Sequence, residues 1–477
     1  MNKLRSLASE TVLYGLGTLL PRMLNFLLVP LHTYVFSREQ YGVVTKLFAV
    51  VGFLNVIYMF GMETAYFRFA TKPGADPKRI FNLAQSAVIF VSVPLTLGLI
   101  LLSGPIASAF DIPAHPEFIT WLSLVMLMDA LVAIPFARLR LEKKALKFAS
   151  AKIINVLILL GLTYYFLKIN YDASMGVGYV FLATLLANLF YVSFFFTILL
   201  SWRPAYDRQI SPEMFRYAYP VMLTGVAGMT NEMFSRLTLD WWLPRNFYQN
   251  MSNEAAMGVF GACYKFAIFM NLGVQAFRFA AEPFFFSHAA DKKSAELFAK
   301  VNHFFVIACC FFLLGVSINL DILKYFIAPA YWEGLHIVPV LLLAYLFLGV
   351  YYNVSIWFKL SDRTSFGTWI TAGGAVITIA VNYLLIPEMG YTGSAWAALA
   401  CYFSMAVACY ALGQRLYPIP YRILSALLYI MITLLLVYIV NLIEISNPIL
   451  AAVAHNGLLI VLVAVVYVIE KENLRTS

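Results

Sequence analysis

The chain has 477 residues, of which 62% are hydrophobic and only 12% charged, with a formal net charge of +9. Soluble domains carry about twice that charged fraction, so this is the composition of a polytopic membrane protein. Its apolar stretches run unbroken for about 20 residues instead of alternating with polar ones, which excludes a transmembrane barrel and predicts an all-α fold.

Fourteen spans are expected, at 11–35, 41–66, 80–102, 117–137, 150–168, 174–200, 214–242, 255–281, 299–319, 334–357, 366–386, 391–413, 421–443 and 449–469. No small-residue cleavage site follows the first, so it reads as a span and not as a signal peptide. In it Arg22, Asn25 and His32 fall within about 80° on one helical face, and Pro21 and Pro30 are expected to break the helix around them. A cation near mid-bilayer suits an anionic substrate.

Span 2 carries Glu63 near its inner end, and span 4 carries Asp129, which has no partner in the local sequence. An intramembrane carboxylate of this kind reads either as a proton or cation site or as one half of a pair with a neighbouring helix. The stretch ARLRLEKKALKFASAK between spans 4 and 5 is itself helix-forming and can extend either one. In span 7, Glu232, Arg236 and Asp240 succeed one another at intervals of four, so intrahelical ion pairs are available. A self-neutralised helix and a binding site both satisfy that pattern.

Span 8 contains Lys265 and then NLGVQAFRFAAE, in which Asn271, Gln275, Arg278 and Glu282 are spaced four, three and four and share one face. A charged residue at bilayer depth costs about 2.5–3.5 kcal/mol on insertion scales, so such a stripe is expected to face a bundle interior or a wet cavity. Spans 11 and 12 hold Gly373, Gly374, Ser394, Ala395 and Ala397, small residues that permit close helix approach. The last two spans, beyond about Pro418, contain few charges and read as an appended pair. The five cysteines, Cys263, Cys309, Cys310, Cys401 and Cys409, sit in apolar helices without metal-ligand spacing and read as packing residues; no metal site is expected.

With the N-terminus inside, most of the 33 Lys and Arg fall in cytoplasmic loops, among them Lys3, Arg5, Arg138, Arg140, Lys152 and Lys292, while only Arg38, Lys168, Arg245 and Lys324 fall in outer ones. Both termini are therefore expected in the cytoplasm, and the asymmetry accounts for the net charge without nucleic-acid binding. No loop is long enough for a soluble domain and no GxxxxGK[ST] loop occurs, so any pumping would draw on an ion or substrate gradient. The six histidines form no HxxxH or HExxH pattern, and no large outer loop can house the catalytic groups of a membrane glycan polymerase or ligase. A transporter is expected, not an enzyme, and no cofactor beyond a possible coupling Na+ or H+.

Phe67-Arg68-Phe69-Ala70 in span 2 recurs as Phe277-Arg278-Phe279-Ala280 in span 8, each after a Tyr/Met-Gly pair, Tyr41-Gly42 and Met257-Gly258. A two-by-six duplication would put these helices in equivalent positions, as in transporters built from paired halves.

These features resemble the polysaccharide-transporter branch of the multidrug/oligosaccharidyl-lipid/polysaccharide (MOP) exporter superfamily, the oligosaccharide-lipid flippases. The similar stretches are Pro21-Arg22 followed by NFLLVPLHTYVFSREQYG, with Ser37, Glu39, Tyr41 and Gly42 at the matching turn. GMETAYFRFA, Asp129 followed by IPFARLRLEKKALKFA, and AAMGVFGACYKFAIF leading to AAEPFFF continue the likeness. The chain departs from the family at Ser235-Arg236, where Asp-Arg is common. The resemblance implies two six-helix lobes, 1–205 and 206–415, around a central cavity, with two further spans in 416–477. It also implies a polyprenyl-diphosphate-linked oligosaccharide moved across the cell inner membrane during surface-polysaccharide assembly, with polymerase or glycosyltransferase partners. Arg22 matches the family's first-span arginine. Arg22, Asn25, Arg236, Lys265, Asn271, Gln275 and Arg278 are the substrate-binding candidates; Glu63, Asp129, Glu232, Asp240 and Glu282 are the ion-coupling candidates. A cation-coupled multidrug exporter of the same superfamily is the alternative.

Overall fold

The computed structural model describes residues 14–475 apart from 16, 290, 292 and 444–446. Lys3, Arg5 and Lys292 of the orientation argument lie outside the described residues. Helix α1 (17–26) runs through Pro21, and the break comes later, at a turn on Leu27, before α2 (Leu28–Val35). Pro30 explains the position, because it has no N–H to offer the carbonyl four residues back.

The turn that follows is built as its sequence suggests. Ser37 caps α3 (Arg38–Met59): its Oγ accepts from the Gln40 amide at 3.3 Å, while the Gln40 Oε1 accepts from the Ser37 amide at 3.1 Å. Phe60 and Gly61 both take left-handed backbone angles and separate α3 from α4 (Met62–Ala70). The chain continues through α5 (Pro77–Leu101), α6 (Ser103–Ala109), α7 (Pro116–Leu141) and α8 (Ala145–Tyr164). It then passes a π-turn at Tyr165–Ile169 into α9 (Gly178–Phe194), α10 (Phe196–Ser201) and α11 (Ile210–Trp242). Before α11, the Ile210 and Gln209 amides donate to Asp207, and with Arg79 beside it they hold its carboxyl below the usual range.

After α12 (Asn253–Ser287) come α13 (Ser294–Ile318), α14 (Leu320–Leu323) and 3-10 turns at Lys324–Phe326 and Pro329–Ile337. The remaining helices are α15 (Val338–Val354), α16 (Ile356–Leu360), α17 (Ser365–Met389), α18 (Tyr391–Leu416), α19 (Ile423–Leu442) and α20 (Pro448–Arg475). Among the described residues there is no strand, and eleven helices are long and apolar enough to cross a bilayer. Each expected span falls on a helix or helix pair; α1–α2, α9–α10 and the charge-bearing α11 are the ones beyond those eleven.

By contacts the chain forms two compact units, Met1–Gly258 and Val259–Ser477. In the first, Phe136 of α7 meets Phe195, Tyr191 and Phe148 edge-on, with centroids 4.6, 5.2 and 5.5 Å away. These rings, with Val132 and Ala151, form a buried cluster that packs α7, α8 and α9 together. In the second, α17 lies along α18, where Gly374, Ser394, Ala395 and Ala397 are buried and let the backbones approach.

The last two helices are fastened more firmly than their composition suggests. Glu470, one residue beyond the expected last span, is buried in α20. It lies 3.0 Å from Nε2 of the equally buried His303 on α13 and accepts from the Tyr429 hydroxyl of α19 at 2.8 Å. Three helices thus share one carboxylate.

Within the N-terminal unit, α3 and the first turns of α12 cross at two glycines. A Cβ on Gly42 would lie 2.0 Å from the Glu254 carbonyl oxygen, and one on Gly258 would lie 2.0 Å from that of Arg38. Each glycine faces the carbonyl four residues before the other, so the Tyr41-Gly42 and Met257-Gly258 pairs noted in the sequence meet about a local two-fold. Gly258→Ala is expected to lower the melting temperature of the detergent-purified protein. Gly457→Ala on α20, with open space around it, is expected to leave it unchanged or raise it slightly, since alanine favours helix by about 1 kcal/mol over glycine. Thermal unfolding of the two variants side by side checks this.

Candidate functional site

The N-terminal unit carries an open-sided cavity of about 550 Å³ whose lining is charged. Arg22 and Asn25 enter it from α1, Glu63 from α4, Asp129 and Arg140 from α7, and Lys152 and Asn155 from α8. Four of these, Arg22, Asn25, Glu63 and Asp129, are sequence candidates that the fold brings together. His32 does not join them: the break at Leu27 turns it away, and its ring packs 5.9 and 6.3 Å from those of Phe36 and Tyr41.

Arg140 and Lys152 are the residues that sequence reasoning assigned elsewhere. Both were counted as cytoplasmic-loop cations, Lys152 although it falls at the start of the expected fifth span; α7 extends to Leu141 and α8 begins at Ala145, leaving a break of three residues with Lys143 in a left-handed conformation. The intervening helix-forming stretch therefore lengthens both spans. Continuing the phase of α7 from Asp129 through Ala133 and Phe136 reaches Arg140 on the same face, and that periodicity was the available signal.

The charges are arranged in partnerships. Arg140 pairs with Glu63 across helices and stands over the rings of Phe67 and Phe148, 4.9 and 5.8 Å from their centroids. Lys152 stands over Phe136 and Tyr191, at 4.1 and 4.9 Å. Asp129 Oδ1 accepts from Asn188 Nδ2 at 3.0 Å, and the Asn188 Oδ1 in turn accepts from Asn155 Nδ2 at 3.3 Å, which also donates to the Ala187 carbonyl at 2.8 Å. Asp129 thus has a neighbouring-helix partner after all. The aromatic faces stabilise the cations without neutralising them, unlike a carboxylate partner. Three cations against two carboxylates line the cavity, an excess of one positive charge.

On α11, where the spacing of Glu232, Arg236 and Asp240 left intrahelical ion pairs available, Asp240 instead pairs between helices. Asp240 is engaged by Lys46 from α3, and Asp111 lies 3.8 Å from the same ammonium. The side chains of Lys46 and Asp240 are 6% and 9% exposed, so this is a buried pair. Asp111, Asp240 and Glu254 bring one carboxylate oxygen each within 4.8 Å of one another, and Lys46 reaches two of them, Asp240 and Asp111. Glu232 and Arg236 are half-buried and are not among the residues lining the cavity.

In the C-terminal unit the stripe on α12 forms on one face as its spacing requires. Asn271 Oδ1 accepts from Gln275 Nε2 at 3.0 Å, and Arg278 lies 4.7 Å from the centroid of Tyr352 on α15. Glu282 sits between Arg278, at 3.9 Å, and Lys359 of α16, whose ammonium is 2.6 Å away. Lys359 lies two residues beyond the expected tenth span, and its contact with Glu282 spans 77 residues of sequence. Lys265 is half-buried on the same helix.

The chain is built as a multi-pass helical membrane protein with charged groups placed among its spans. It has the fold of an inward closed lipid II flippase MurJ, with TM-score 0.71 at 13% identity over 96% of this chain and 99% of that one. An inward-facing multidrug resistance MATE family transporter of the MOP superfamily superposes with TM-score 0.63 at 12% identity, over 91% and 100% of the two chains. The MATE multidrug transporter DinF-BH gives 0.62 at 14% identity, over 86% and 95%. Residues 35–295 match the family model described as polysaccharide biosynthesis protein, and the chain belongs to that family. No curated protein matches it by sequence.

Removing Lys46 leaves Asp240 buried without its cation, so Lys46→Met is expected to destabilise the protein by about 3–5 kcal/mol. Lys46→Met combined with Asp240→Leu is expected to recover most of that loss, because an apolar pair replaces the ion pair. Equilibrium unfolding of the single and double variants in micelles measures both.

Proposed function

We propose that the chain is a flippase for polyprenyl-diphosphate-linked oligosaccharide, carrying the headgroup from the cytoplasmic to the outer leaflet of the cell inner membrane. The observation that carries this reading is the cavity in the N-terminal unit, where Arg22, Arg140 and Lys152 outnumber Glu63 and Asp129. Family membership in polysaccharide biosynthesis and the fold shared with a protein named as a lipid II flippase support it.

Each sugar hydroxyl carried unpartnered into about 30 Å of hydrocarbon would cost several kcal/mol, so unaided transfer of an oligosaccharide is negligible. A cavity with amides and ionised groups replaces water for the headgroup while the polyprenyl tail stays in lipid. Guanidinium groups bind phosphate oxygens two at a time, which suits Arg22 and Arg140 to the diphosphate. Asn25 and Asn155 offer amides to hydroxyls. Lobes at 1–205 and 206–415 would exchange access by rocking, with Arg236, Lys265, Asn271, Gln275 and Arg278 completing the path from the second lobe.

Asp129 is the leading position for a coupling proton or Na+, since its hydrogen-bond partner is a neutral amide and its charge offsets Lys152. Glu63, Glu232, Asp240 and Glu282 are the further coupling candidates; three of them, Glu63, Asp240 and Glu282, are answered by cations. The Lys/Arg bias supports cytoplasmic termini, and a polysaccharide polymerase or glycosyltransferase is the partner this reading expects. A multidrug exporter of the same superfamily would take cationic compounds, which an excess of positive charge in the cavity disfavours.

With purified protein in liposomes, wild type is expected to expose a fluorescent polyprenyl-diphosphate oligosaccharide to an external quencher. Arg22→Ala and Arg140→Ala are expected to slow this at least about tenfold, the loss of one charge-assisted contact of about 1.5–3 kcal/mol. Wild-type rates in both variants, or export of a cationic dye in place of the lipid, would refute the assignment.

A further inference from the structure

We propose that the C-terminal unit binds an anionic phospholipid of the surrounding bilayer at the place where α13 and α19 begin. The site consists of two adjoining cavities that share Arg422. One is an apolar groove of about 210 Å³ between α13, α15, α18 and α19, walled by Phe347, Val350, Phe403, Val407 and Leu427. The other, of about 610 Å³, is polar and holds Lys293, Lys300 and Arg422 against Asp291 and Glu296.

A molecule filling both must be apolar at one end and charged at the other. Phe403, Val407 and Leu427 are 45%, 48% and 44% exposed, so the groove opens sideways to the hydrocarbon and an acyl chain can enter from the leaflet. From Ile423 to Ile430, both on its wall, α19 rises about 10 Å, enough for the first part of such a chain.

The charge of the headgroup follows from the other end. Three cations face two carboxylates, and α13 and α19 start at Ser294 and Ile423, so both present the positive ends of their dipoles to this pocket. Every contribution with a net sign favours an anion, and basic pockets between membrane helices hold anionic headgroups. Ordinary bilayer lipids keep their phosphates at this depth, at the helix ends, and their tails alongside the helices, which matches the order of the two cavities. The inference uses only residues of the C-terminal unit and does not depend on the transported substrate.

Native mass spectrometry of the full chain, titrated with phosphatidylglycerol and with phosphatidylcholine of equal chain length, tests it. Wild type is expected to retain phosphatidylglycerol at least about tenfold more strongly, since basic residues near a lipid surface favour the anionic headgroup. The triple variant Lys293→Gln, Lys300→Gln, Arg422→Gln is expected to lose that preference, and Ala406→Phe, which fills the groove, is expected to weaken retention of both lipids. Unchanged melting temperatures of the variants without added lipid serve as the folding control. Equal retention of the two lipids by wild type, a preference that survives in the triple variant, or displacement of phosphatidylglycerol by an equimolar polyprenyl diphosphate would overturn the proposal.

Discussion

Placing ionised side chains inside an oily bundle is the constraint from which the rest of this structure follows. An ion removed from water loses several kcal/mol of hydration that only close partners or retained water restore. The N-terminal cavity meets that cost by distributing its charges. Glu63 holds Arg140, ring faces hold Lys152, and Asp129 takes an amide from Asn188. With Glu63 answering Arg140 and Asp129 offsetting Lys152, the three cations still outnumber the two carboxylates by one, and a site of that sign suits a phosphate-bearing headgroup.

The same constraint organises regions away from the cavity. Lys46 and Asp240 are buried together beside the glycine crossing of α3 and α12, and Glu470 joins α13, α19 and α20 through His303 and Tyr429. Each is a place where sequence distant by tens to hundreds of residues must arrive in register before a charge is satisfied. In a lipid environment, where apolar burial discriminates little between helix pairings, such polar contacts and close glycine approaches help select one packing.

Much of the fold was legible because its determinants are local. Uninterrupted hydropathy marked the eleven long apolar helices, and the four-three-four spacing placed Asn271, Gln275, Arg278 and Glu282 on one face. The site was legible only in part. Arg22, Asn25, Glu63 and Asp129 stood out as polar groups in apolar runs, but Arg140 and Lys152 belong to a basic stretch that was counted as loop; the lengthened α7 brings Arg140 inside, and Lys152 already lay two residues into the expected fifth span. The partners of Asp129, Asp240 and Glu282 lie 59, 194 and 77 residues away. No local periodicity encodes such pairings, which depend on which helices become neighbours.

The account rests on the N-terminal cavity being wet and reachable by ions while the helices around it stand in lipid. Reaction of an engineered thiol with a charged, membrane-impermeant reagent measures this directly, against a background of five native cysteines that are all buried. Asn25→Cys, on the cavity wall, is expected to react and to be protected by polyprenyl diphosphate, while Val376→Cys, 66% exposed on the outside of α17, is expected to stay inert. An Asn25→Cys thiol that reacts only with lipid-soluble reagents would mean that Arg22 and its neighbours face hydrocarbon, and the transport mechanism proposed for them would not stand.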